Sequence, residues 1–139
     1  MLKGVTVNSF LFHEISDDFS LTGFQGKSAD KYKLSLSKFQ KYIELISQSN
    51  FKVYCADNNN IDTPVNLLTF DDGGRSALDA ADIIEKYGYR GYFFITTSMI
   101  GKKGFLQAQE IQELSNRGHI IGTHTHNHYM PFYSLDESS

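Results

Sequence analysis
The chain has 139 residues and a net charge of -3, and 40% of its residues are hydrophobic. That is enough for one domain with its own core, to which eleven Phe and eight Tyr contribute bulk. No block of Lys and Arg is present to neutralise phosphates, which argues against nucleic acid as the main partner, and no run of about 18 apolar residues is present to span a membrane.

The stretch from Met1 to Asn8 has no continuous apolar run and no small-residue cleavage site, so a cytoplasmic location is expected. Val5 to His13 alternates and then turns apolar, as a first strand does. Glu14 to Lys33 is rich in Ser, Asp, Gly and Lys without a period, and reads as loop. Ser37 and Gln40 have the spacing of a capping box. Phe39, Tyr42, Ile43 and Ile46 then predict a helix to about Ser49. Phe51 to Tyr54 is a short second strand, and Cys55 just beyond its end is a lone thiol with no internal disulfide partner. Asp57 to Asn60 reads as a turn.

Val65 to Phe70 places apolar residues on both faces, the pattern of a parallel strand covered on both sides. Asp71 to Gly74 turns the chain, and Ser76 is placed to cap a helix that ends near Gly88. Tyr92 to Ile95 is a fourth strand. Leu106, Ile111 and Leu114 mark a third helix that stops at Gly118, and His119 to Gly122 is a fifth strand. Strands alternating with helices predict an α/β fold with mostly parallel strands. The whole chain, 1–139, reads as a single domain, with 133–139 as a frayed polar tail.

In such folds functional groups gather beyond the C-terminal ends of the strands. Asp71 and Asp72 follow the third strand, His124 and His128 follow the fifth, and His13 ends the first. Residues four apart share one face of a helical turn, so His124 and His128 can converge while His126 points elsewhere. Asp72, His124 and His128 would supply three ligands and leave a place for water, as catalytic zinc sites do. Each cluster alone has an ordinary explanation. Asp-Asp-Gly-Gly is a common turn, and histidines also cluster on surfaces. A two-His-one-carboxylate iron centre uses the same donors, though on a scaffold expected to be all-β. His119 is expected beside the sheet with its ring bonded to backbone, and His13 is open between structural and rim roles. The shared rim is what favours a functional site.

At these residues the chain resembles the polysaccharide deacetylases, the NodB-homology family (carbohydrate esterase family 4). Thr69-Phe70-Asp71-Asp72-Gly73 is similar to the family's first motif, and His124-Thr125-His126-Asn127-His128 to its second. Gly91 to Ile95, Gly118 to Gly122 and Phe12-His13-Glu14-Ile15 resemble the flanking segments. The resemblance implies a partial distorted (β/α) barrel of the NodB/polysaccharide deacetylase type, corresponding to its N-terminal portion. It implies Asp71 as general base and Asp72, His124 and His128 as ligands of a divalent metal, most often Zn2+. The implied reaction removes N-acetyl groups from an N-acetylated polysaccharide or glycan and releases acetate. The family's Arg-x-Pro-Tyr, Asp/Trp and Leu-x-His segments have no counterpart in this sequence. A homo-oligomer or a partner chain covering the open barrel edge is therefore an expectation, and a non-catalytic metal-binding or interaction module is the alternative to a hydrolase.

Overall fold
The computed structural model describes residues 4–55 and 61–128. The turn expected at 57–60, the tail expected at 133–139 and Tyr129 lie outside them. In chain order the elements are β1 (Val7–Phe12), β2 (Glu14–Ile15), α1 (Lys27–Asp30), β3 (Lys33–Leu34), α2 (Leu36–Ser47), β4 (Lys52–Val53), β5 (Val65–Phe70), α3 (Ala77–Glu85), β6 (Tyr92–Ile95), α4 (Ala108–Asn116) and β7 (Ile120–Thr123). Every paired strand runs parallel.

The main sheet has the order β1-β5-β6-β7. β1 pairs with β5 along its whole length, from Val7 opposite Val65 to Phe12 opposite Phe70. The other edge of β5 is shared: β4 pairs with Val65 and Asn66, and β6 pairs with Thr69 and Phe70. In-register parallel pairing puts opposed side chains on the same face. Phe12, Phe70 and Phe93 therefore form a ladder across three strands, with ring centroids 5.5 and 4.6 Å apart. Phe39 of α2 closes edge-on against Phe12 at 5.0 Å. Such aromatic contacts add about 0.5–1.5 kcal/mol each beyond the area they bury.

Ile43 and Ile46 of α2, Ala80, Ala81 and Ile84 of α3, and Leu114 of α4 join the same core. Helical spacing brings these residues to one stripe. The opposite face is less covered than the apolar pattern predicts. Leu67 and Thr69 are half-buried, and Leu11, in the same row as Thr69, is 55% exposed.

Three local expectations are corrected. α2 begins at Leu36, because Ser35 rather than Ser37 is its cap: the Ser35 Oγ accepts from the Lys38 amide, and Asp17 accepts from the Leu36 amide. Ser76 precedes α3 but its hydroxyl makes no cap bond, being used by Glu14 and Ile15. The segment from Glu14 to Lys33 is not all loop. β2 and β3 pair as Glu14 with Lys33 and Ile15 with Leu34, strands too short to show a period in sequence.

His119 lies just before β7, buried, with its Nδ1 accepting from the Gly91 amide at 3.1 Å. An amide can only donate, so the ring proton sits on Nε2 and is given to Glu85 Oε1 at 2.8 Å. Arg117 Nε donates to the same oxygen. Burial holds the His119 imidazole below its ordinary pKa, against the pull of Glu85. The unfolded chain thus takes up this proton before the folded protein does. The stability contributed by neutral His119 is present above about pH 6.5 and is lost as pH falls from there through the lowered folded value. Urea unfolding at pH 7.5 and 5.0 should show this loss, and His119→Asn, which keeps an acceptor for Gly91, should show a smaller pH difference than the parent chain.

Candidate metal centre
β5 delivers Asp71 to the rim, where its amide bonds to the Phe12 carbonyl at 2.9 Å. The chain then turns sharply. Asp72 has φ 76° and Gly73 has φ 79°. The left-handed region costs a non-glycine residue of order 1 kcal/mol or more, so something must hold Asp72 there. The Thr96 amide bonds to the Asp72 carbonyl at 3.2 Å and the Leu106 amide to the Gly73 carbonyl at 3.0 Å. β6 and the strand-to-α4 connection thereby pin the turn.

The histidine stretch is placed by β7 through the His124 amide, which bonds to the Ile95 carbonyl at 2.8 Å. Residues 124–128 are not a helical turn, contrary to the expectation from their spacing. Thr125 and His128 both have positive φ, 60° and 54°, and the Thr125 Oγ1 accepts from the His128 amide at 3.1 Å. The Thr97 and Ser98 amides take the Thr125 and His126 carbonyls. The chain curls back on itself, and that curl brings His128 beside His124. His126 faces away, its Nδ1 2.8 Å from Thr97 Oγ1.

Asp72, His124 and His128 meet. One donor atom from each lies within 4.8 Å of the others. Asp72 Oδ1 is 3.0 Å from His128 Nε2 and 3.5 Å from His124 Nε2. The two rings are 5.1 Å apart. Asp72 Oδ1 is buried and accepts no hydrogen bond, although a buried carboxylate oxygen normally finds a donor. Two imidazole nitrogens and one such oxygen, facing a common point, fit a divalent cation of the zinc type. Asp71 stands beside them, its Oδ2 3.8 Å from His124 Nδ1. Burial pushes the Asp71 carboxyl above its usual range and Asp72 adds to this, against the attraction of His124 and His13.

Sequence reasoning missed the groups behind this centre. Glu14 is 4% exposed and accepts from the Gly23 amide at 2.6 Å and from the Ser76 hydroxyl at 2.5 Å. A Cβ on Gly74 would fall 2.0 Å from Glu14 Oε1, so glycine at 74 is what lets the turn and this carboxylate share the space. Burial raises the Glu14 pKa, while Ser76, Gly23 and Lys33 lower it. Gly23 in turn places Phe24, whose ring lies 4.8 Å from that of His128 and 5.0 Å from that of Phe105. The available signal was an acidic residue directly after the strand-end His13, in a position that must turn back under the sheet.

The family model described as polysaccharide deacetylase matches residues 58–137. That is more than half of the chain, and the chain belongs to this family. Among individual relatives, YxkH of Bacillus subtilis (strain 168), a polysaccharide deacetylase by name, is 35% identical over 63 residues, which are 45% of this chain and 23% of that protein. The crystal structure of BC0361, a polysaccharide deacetylase from Bacillus cereus, superposes with a TM-score of 0.73 at 18% identity, over 94% of this chain and 42% of that one. The Streptococcus pyogenes deacetylase PplD, in complex with acetate, gives 0.70 at 18% identity, over 91% of this chain and 59% of that one. The mostly parallel α/β fold is thus of the polysaccharide deacetylase type. This chain spans less than two thirds of each of these proteins.

Replacing Glu14 should therefore be costly in a graded way. Glu14→Ala leaves the Gly23 and Ser76 donors buried without an acceptor and should lower unfolding free energy by about 2 kcal/mol or more in urea. Glu14→Gln keeps one acceptor and the shape, and should lose less than half of that.

Proposed function
We propose that this chain is a metal-dependent hydrolase that removes N-acetyl groups from an N-acetylated glycan. The observation that carries this reading is the orphaned Asp72 Oδ1 facing two imidazole nitrogens, with the Asp71 carboxylate alongside, on the rim where the strands end. The family supports an amide-hydrolysing deacetylase.

In this reading Asp72, His124 and His128 hold the cation, and their one oxygen and two nitrogens suit Zn2+. When bound there, such an ion supplies Lewis-acid polarisation of a carbonyl and acidifies water. Asp71 takes the proton from the attacking water as general base. The bond to the Phe12 carbonyl is made by its backbone amide, so the carboxylate takes no part in holding the strand end. The half-buried setting limits competing water around the carboxylate and strengthens its interactions with neighbouring charges. The Thr96 amide holds Asp72 in its left-handed conformation, which limits the reorganisation its carboxylate needs. The Phe24 ring limits the freedom of His128 in the same way.

Two measurements test this together: zinc content by elemental analysis, and acetate released from N-acetylglucosamine oligomers. Asp71→Asn should keep its zinc and lose acetate release by about 100-fold or more. Asp72→Ala should lose both. Stoichiometric zinc with no acetate released by the parent chain would instead make this a non-catalytic metal-binding module.

A further inference from the structure
A cleft of about 610 Å3 opens over the Asp72, His124 and His128 cluster, within the range of roughly 300–1,000 Å3 typical of small-ligand sites. Its less exposed lining includes Asp71, Asp72, His124 and His128, taken here as its floor, and its exposed lining includes Leu11 and Tyr32, taken here as its wall. Tyr32 is 59% exposed and Leu11 55%. Large apolar groups at the mouth of a polar cleft are a mark of ligand contact.

The Tyr32 ring leans on one neighbouring ring, and its backbone is anchored. It lies 4.9 Å from the His13 ring at an interplanar angle of 38°. Its amide bonds to the Ala29 carbonyl at 3.0 Å. The next residue, Lys33, is buried, pairs with Glu14 in the short sheet, and gives its ammonium to Asp30 Oδ1 at 2.7 Å. The same ammonium lies 5.5 Å from the Phe19 ring. The backbone at Tyr32 and its neighbour Lys33 are thus fixed by the fold while the ring itself remains open to solvent. An anchored backbone leaves less conformational freedom to lose on binding.

We propose that Tyr32 is the stacking platform for a pyranose ring of the glycan, in a subsite on the wall of the metal cleft. This rests on the deacetylase reading and adds a binding determinant to it. A pyranose has a face of C–H groups and a rim of polar groups. The face suits a tyrosine ring, whose body is apolar and whose hydroxyl is polar, and the acetamido group of a neighbouring sugar can reach the polar floor.

The test uses the full zinc-loaded chain, with the N-acetylglucosamine tetramer and monomer as probes in calorimetric titrations. Tyr32→Ala should weaken tetramer binding by roughly three- to tenfold and shrink the preference for tetramer over monomer. Tyr32→Phe, which keeps the ring, should retain the tetramer affinity of the parent. Zinc affinity, measured by competition with a chelator, should be unchanged in both, which shows that the metal centre and fold are intact. Tetramer binding by Tyr32→Ala as tight as the parent's overturns the proposal, and so does a Tyr32→Phe variant as weak as Tyr32→Ala. Acetate release in the same samples separates the two readings. If the parent releases acetate and Tyr32→Ala binds normally, the subsite is wrong and the hydrolase stands. If the parent binds tetramer through Tyr32 without releasing acetate, the subsite stands and the hydrolase falls. A parent chain that binds neither probe overturns both.

Discussion
The level ending of parallel strands is the constraint on which the site depends. β1 and β5 pair in register from one end to the other, so Phe12 and Phe70 finish side by side. β6 and β7 pair in register from Tyr92 opposite Ile120 to Ile95 opposite Thr123. The next amide along then bonds across to the neighbouring strand: Asp71 to Phe12, and His124 to Ile95. These two bonds extend the ladder by one step and set where the carboxylates and imidazoles leave the sheet. A slip of one residue in either pair would turn Asp72 or His124 to the wrong face. The Phe12 and Phe70 rings oppose a slip of β1 against β5, because both pack on Phe39 of α2 in this register.

Beyond that rim, the geometry is held by strain that neighbours balance. Asp72, Thr125 and His128 all occupy the left-handed region, and they are the non-glycine residues that do so among the described residues. Backbone strain of this kind concentrates at functional sites, where surrounding bonds over-determine it. Here those bonds come from Thr96, Thr97 and Ser98, the residues that follow β6. The β6 end is thus the common support of both halves of the centre. Its own sequence, Thr96-Thr97-Ser98, carries no catalytic residue type and gives no sign of that role.

The N-terminal segment has a different part. Glu14 ties its own strand to the residue before α3 and to the Gly23 loop. Through that loop it sets Phe24 against His128, and through its pairing with Lys33 it sets the segment that carries Tyr32. One buried carboxylate therefore connects the back of the Asp72, His124 and His128 cluster to the wall of the cleft. Its burial is tolerable because both oxygens are hydrogen-bonded and Lys33 is near.

The residues themselves determined a good deal. The pattern of apolar runs and glycine stops showed β5, β6, α3 and α4 and their parallel order, since hydrophobic period and turn chemistry are local properties. The two motifs indicated which side chains to bring together, because donor type and position after a strand are also legible in sequence. The tertiary structure decided how they come together. Spacing of four suggested a helical turn at His124 and His128, but backbone bonds from the end of β6 impose a curl with two left-handed residues instead. It also decided that Ser35 caps α2, that Ser76 serves Glu14 rather than its own helix, and that Glu14 to Lys33 contains a paired strand. Each of these depends on partners distant in sequence or on segments too short to show a period, and neither can be read from local pattern alone.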